Sequence, residues 1–206
     1  MIQTLIFDFG GVLVKAPNLT WLRCFEGVFG FDNEPEVKAI FTNPNESQLV
    51  REMCLGNLTE DQLLDIVAEK MALRLRTLDR IRKGIFSKRH LNCPLLKFMA
   101  GLQSEYQLAI LSNAGNQARE IIENHYHLDA YVEEIIISAE EGVIKPDHRI
   151  YQIAMDRLGA KPETSLFVDD YMVNVFSARD FGMSAVQFIN NHQVITAIRD
   201  YLETDE

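Results

Sequence analysis

Two short apolar runs end in aspartate near opposite ends of this 206-residue chain. The first is Thr4-Leu5-Ile6-Phe7-Asp8, continued by Phe9-Gly10-Gly11; the second is Ser165-Leu166-Phe167-Val168-Asp169-Asp170. Brought together, Asp8, Asp169 and Asp170 would repel one another unless something positive held them. An all-oxygen set of this kind is what Mg²⁺ takes. A carboxylate nucleophile beside an acidic metal site is a setting for phosphoryl transfer. Two more polar features follow apolar runs: Ser112-Asn113 after Leu108-Ala109-Ile110-Leu111, and Lys145-Pro146 a short loop after residues 134–138.

Elements must place these residues side by side. Continuous apolar runs of four or five residues read as strands of a parallel sheet buried on both faces. Such a sheet aligns its strand ends, and ligands of open α/β sheets sit at the C-terminal ends. From about residue 94 onward strand and helix alternate. Helices are expected at 94–104, 116–125, 147–158, 173–181 and 192–202, and strands at 107–111, 134–138, 165–168 and 184–188. With the first strand near 2–8 this predicts a doubly wound α/β sheet with right-handed crossovers. The segment between the first strand and residue 90 carries helix signals only. Thr59-x-x-Gln62 is a capping-box pattern, and Leu63, Val67 and Met71 then recur every four residues. A second candidate helix runs over 46–55, and Asn43-Pro44-Asn45 and Gly56-Asn57 punctuate the segment. Residues 15–90 are therefore expected to form an inserted helical bundle above the strand ends, with residues 1–14 plus 91–206 as the α/β core.

Bulk properties narrow the function. With 47% hydrophobic residues the chain suits one domain carrying a smaller insertion. A formal net charge of −10 argues against general nucleic-acid binding and against an anionic membrane surface. No apolar stretch reaches the roughly 18 residues of a membrane span. Cys24, Cys54 and Cys93 form no Cys-x-x-Cys pair, which fits reduced thiols and a cytoplasmic location. Seven basic residues lie between Arg74 and Arg89, against one acid, Asp79. They read either as a solvated helix face or as a positive rim drawing an anionic substrate. Trp21 and Phe25 fit the core of the helical insertion better than a sugar-stacking platform. His125, His127 and His148 are too isolated to make a metal site.

Taken singly, each polar feature has an ordinary structural role. Ser112 or Asn113 could be an N-cap. Lys145 could be an exposed residue before a helix opened by Pro146, Asp170 could cap the next helix, and Gly10-Gly11 could be only a tight turn. No dinucleotide-type glycine pattern or P-loop lysine accompanies the glycines. Four such features, each at a different strand end, are hard to explain as four caps.

The set resembles the haloacid dehalogenase-like hydrolase superfamily over nearly the whole chain. The motifs that carry the resemblance are Asp8-Phe9-Gly10-Gly11-Val12-Leu13, Leu111-Ser112-Asn113, Gly142-Val143-Ile144-Lys145-Pro146-Asp147, and Phe167-Val168-Asp169-Asp170 with Asn174 after it. The helical insertion is similar to the cap of the subgroup that holds many small-metabolite phosphatases. The resemblance implies that Asp8 is the nucleophile, forming an aspartyl-phosphate. It implies Mg²⁺ held by Asp8, Asp170 and the Gly10 carbonyl, with Asp169 as ligand or supporting partner. Ser112, Asn113 and Lys145 would bind the phosphate, and Lys145 would offset its charge against that of Asp8. The implied substrate is a small phosphorylated metabolite, sugar phosphates favoured. One position departs from the pattern. Most phosphatases of the superfamily carry a second aspartate two residues after the nucleophile as general acid/base; here Gly10 stands there. A positioned acid/base contributes roughly 10²–10⁴-fold, so two alternatives stay open: a halide-displacing hydrolase, against which Asp169-Asp170 counts, and a binding or regulatory protein with weakened turnover.

Overall fold

In the computed structural model, which describes residues 1–15, 33–72 and 90–203, the apolar runs become five parallel strands. They are β1 (Thr4–Phe7), β2 (Gln107–Ser112), β3 (Glu134–Ile137), β4 (Ser165–Asp169) and β5 (Ser184–Gln187), in the order β3-β2-β1-β4-β5. The expected α/β sheet is therefore present. Its central strands are buried on both faces, and the two-residue period divides their side chains between two cores. Leu5 and Phe7 join Leu108, Ile110, Leu166 and Val168 on one face. Ile6 joins Ala109, Leu111 and Phe167 on the other.

Helices cover both faces. On the first lie α4 (Cys93–Leu102), through Leu95, Leu96 and Met99, and α9 (Asn191–Glu203), through Val194 and Ile198. On the second lie α7 (His148–Leu158), through Ile150, Tyr151, Ala154 and Met155, and α8 (Met172–Asp180), through Val175 and Ala178. Each large apolar side chain fully buried this way contributes roughly 1.5–3 kcal/mol. Between β2 and β3 runs α5, Ala118–Glu120, wound as a π-helix over Ile121–His125. This covers most of the helix expected over 116–125, its second part wound more widely than an α-helix. It points Ile122 into the core while Tyr126, whose N–H reaches back to Ile121, meets the Phe9 ring edge-on at 6.0 Å.

Between β1 and α4 the described residues make three α-helices, α1 (Pro35–Thr42), α2 (Gln48–Cys54) and α3 (Glu60–Lys70), with a short 3-10 turn over Pro44–Glu46 between the first two. The capping box forms as the sequence predicts. Gln62 N–H donates to Thr59 Oγ1 at 3.2 Å and Thr59 N–H to Gln62 Oε1 at 2.8 Å. The helices share an apolar cluster of their own, Val37, Ile40, Leu63, Leu64 and Val67. The chain leaves and re-enters the sheet region side by side at an antiparallel bridge between Val14 and Leu91: Lys15 N–H donates to the His90 carbonyl, and Asn92 N–H to the Leu13 carbonyl. Trp21, Phe25 and the basic stretch Arg74–Arg89 lie outside the described residues, as do parts of the expected 15–90 insertion. No helix among the described residues is long and apolar enough to cross a membrane.

Candidate active site

Register decides which residues meet. Phe7 pairs with Ile110 on β2 and Val168 on β4, so Asp8 stands level with Leu111 on one side and Asp169 on the other. Its N–H is tied to the Val168 carbonyl at 2.8 Å. Lys145 arrives from the loop after α6 (Ser138–Glu141), which ends at Gly142 in the left-handed conformation. The lysine is not the exposed residue that Pro146 alone would allow. Its side chain is 1% exposed, and Nζ donates to Asp8 Oδ1 at 2.9 Å, Asp169 Oδ2 at 2.7 Å and the Leu111 carbonyl at 2.9 Å. All three ammonium donors are thus used. Breaking a buried pair of this kind typically costs about 3–5 kcal/mol.

Asp169 is braced from every side. Its Oδ1 accepts the Tyr171 N–H at 2.7 Å, and Asn174 Nδ2 lies 3.1 Å from both oxygens. Asn174 is held in turn by the buried Tyr151 hydroxyl, which donates to its carbonyl at 2.9 Å. Asp170 is the more open of the pair and lies against Gly11. A Cβ on Gly11 would stand 2.1 Å from Asp170 Oδ2, and Gly11 has φ +86. Only glycine lets that carboxylate approach, so Gly11 is more than a tight turn.

Burial pushes the Asp8 carboxyl up to about 7, against the pull of Lys145 and with repulsion from Asp169. Asp170 is raised by burial and by the Asp169 charge. For Lys145 burial works against the charged form, but Asp169 and Asp8 outweigh it and hold the ammonium above the ordinary lysine range. One ammonium cannot balance three carboxylates. Asp8, Asp169 and Asp170 each present an oxygen within 4.8 Å of the others. The donor set, oxygen-only with excess negative charge, fits a hard divalent cation such as Mg²⁺.

Ser112 is buried at the end of β2. Asn113 has its side chain committed elsewhere: Nδ2 donates to the Lys145 carbonyl at 2.9 Å and Oδ1 accepts the Lys145 N–H at 2.8 Å. It splints the loop that carries the lysine. Sequence reasoning missed two further residues at this edge. Ser138 Oγ accepts the Ala114 N–H at 3.0 Å and donates to the Cys54 carbonyl of α2 at 2.6 Å. Glu60, the first residue of α3, accepts the Gln117 N–H at 3.0 Å. Both contacts join the helical segment to the loops after β2 and β3. The capping box announced that α3 begins at Glu60, but no local pattern announces where its side chain lands.

Residues 5–188 match the family profile described as haloacid dehalogenase-like hydrolase. Among curated relatives, a bifunctional epoxide hydrolase 2 of Sus scrofa is 27% identical over 209 residues, 90% of this chain and 36% of that protein. The chain thus spans little more than a third of that relative. A D-ribitol-5-phosphate phosphatase of Bacteroides thetaiotaomicron is 22% identical over 196 residues, 91% of this chain and 92% of that one. Among solved structures, a HAD family enzyme of Bacteroides thetaiotaomicron in complex with magnesium and inorganic phosphate superposes with a TM-score of 0.74. It is 21% identical over 91% of this chain and 94% of that one.

Proposed function

The chain belongs to the haloacid dehalogenase-like hydrolase family, and from that membership we propose that it is a Mg²⁺-dependent phosphatase acting on a small phosphorylated metabolite, a sugar or polyol phosphate favoured. The observation that carries this reading is the cluster of Asp8, Asp169 and Asp170 around Lys145. Displacing a halide from carbon needs no metal and has no use for a third carboxylate packed against Gly11. The likeness in length and extent to a D-ribitol-5-phosphate phosphatase supports the same choice. So does the similar structure that holds magnesium and phosphate.

In this reading Asp8 attacks phosphorus. An O–P bond forms to its carboxylate as the bond to the leaving oxygen breaks, giving an aspartyl-phosphate; water then attacks phosphorus and restores Asp8. The Ser112 hydroxyl and the Asn113 main-chain N–H donate to phosphoryl oxygens. Lys145, fixed by three acceptors, offsets the charge of nucleophile and phosphate as they approach. Asp8, Asp170 and the Gly10 carbonyl would hold Mg²⁺, with Asp169 beside them as a ligand or as the anchor of Lys145. When bound, the ion would neutralise charge on the transferring phosphoryl group. The helices α1–α3 act as a cap that excludes water and selects the leaving group. The free thiols of Cys54 and Cys93 support work in a reducing, cytoplasmic compartment.

The test assays purified protein with para-nitrophenyl phosphate in Mg²⁺ or chelator, and with 2-chloropropionate for halide release. Mg²⁺-dependent phosphate release without halide release is expected. Halide release, or phosphate release unchanged by chelator, contradicts the proposal.

A further inference from the structure

Outside the acidic cluster, Glu60 is the buried carboxylate among the described residues, at 4% exposure. It opens α3 and crosses to the loop that begins at Ser112-Asn113. Oε1 accepts the Gln117 N–H. The seat is shaped for it: a Cβ on Gly115 would stand 2.3 Å from Oε1, and Met53 of α2 closes over the same spot. The second oxygen, Oε2, is buried and has no hydrogen-bond partner among the described residues. Leaving such an acceptor unsatisfied costs about 1–3 kcal/mol, more for a charged group. An orphaned buried polar atom of this kind calls for an explanation.

Place supplies one. The loop from Asn113 to Gln117 leaves the C-terminal end of β2, the same sheet edge as Asp8. Cys54, at the end of α2, reports the proximity. Burial and then the Glu60 charge push its thiol up to about 12, and both Lys145 and Asp8 act on it as well. That thiol is inert; the carboxylate near it is a hydrogen-bond acceptor waiting at the seam between the helical segment and the phosphate end of the site.

We propose that Glu60 determines specificity: its Oε2 accepts a hydrogen bond from a hydroxyl on the leaving-group side of a polyol or sugar phosphate whose phosphate sits at Asp8. This rests on the phosphatase reading. The rest of a substrate anchored at Asp8 must extend away from the sheet, toward α2 and α3. A hydroxyl there completes the carboxylate without adding a buried charge. An ammonium would donate as well, but it would bring a charge of its own into the seam.

The experiment compares wild type, Glu60→Ala and Glu60→Gln in Mg²⁺ on ribitol 5-phosphate and on para-nitrophenyl phosphate, whose leaving group has no alcohol hydroxyl. Calorimetry of ribitol 5-phosphate against inorganic phosphate on the same variants in an Asp8→Asn background supplies binding without turnover. For Glu60→Ala, the ratio of kcat/KM on ribitol 5-phosphate to that on the aryl phosphate should fall about ten- to a hundredfold. The calorimetric preference for ribitol 5-phosphate should fall with it. Glu60→Gln should keep most of the preference, because a hydroxyl can accept from the new amide as well as donate. If Ala lowers both substrates equally, or lowers the ratio not at all, Glu60 only fastens α3 to the loop and the inference is wrong. If Gln loses as much as Ala, the donor is not a hydroxyl and the inference is equally wrong. Failure of the phosphatase reading looks different: wild type then releases phosphate from neither ester, and this inference falls with it.

Discussion

Gly10 and Gly11 are neighbours with opposite tolerances. A Cβ on Gly11 collides with Asp170, whereas a Cβ on Gly10 meets nothing within 4 Å, and Gly10 is not held at positive φ. Glycine at position 10 is therefore not required by packing, and its consequence is chemical: no side chain there protonates a leaving oxygen. Among esters whose leaving groups gain no further contact with the protein, rates of the wild type should rise as the leaving group becomes a better anion, with aryl and acyl phosphates ahead of simple alkyl phosphates. Gly10→Asp meets no neighbour within 4 Å at its Cβ and should flatten that dependence, raising alkyl-ester turnover by about 10²-fold, the low end of what a positioned acid contributes. A rate series over leaving groups for both proteins decides it. A flat wild-type series would mean that another group or a fixed water delivers the proton.

At the scale of elements, the strands carried their own signal. Each continuous apolar run became a strand, because parallel strands buried on both faces cannot hide in a polar pattern. Lys145 is legible as a candidate from its place a short loop after the third strand; its three acceptors come from the end of β1, from β2 and from β4 and appear in no local window. The end of β3 was misread by one residue. Ser138 opens α6 instead of closing the strand, and its hydroxyl ties the Ala114 loop to α2. Asn113 is expected at the phosphate by position, and nothing local announces that its amide also reaches across 32 residues to splint the Lys145 backbone. These failures share a cause: a polar side chain's partner is set by tertiary approach, whereas periodicity reports only which face is apolar.

Across the whole molecule, the acidic edge makes stability depend on pH and metal together. Asp8 has an ordinary value of 3.8 and is raised to about 7 in the fold. A raised carboxyl stabilises fully below the lower value, and that contribution is lost as pH rises through about 7. Mg²⁺ binding must expel the proton. Calorimetry in buffers of different ionisation enthalpy should show about one proton released per ion at about pH 6 and almost none at about pH 8. Mg²⁺ at 100 times its dissociation constant should stabilise the fold by about 2.7 kcal/mol. No proton release at the lower pH would mean that Asp8 is ionised without metal, or is not a ligand. The central claim, that Asp8 itself carries the phosphoryl group, is tested most directly by acid-quenching the enzyme during Mg²⁺-dependent turnover of an aryl phosphate and locating the modification by mass spectrometry. A phosphoryl group on Asp8, absent from Asp8→Asn and labile to hydroxylamine, is the predicted result; wild-type turnover with Asp8 never modified, or an Asp8→Asn variant that still releases phosphate above a tenth of the wild-type rate, contradicts it.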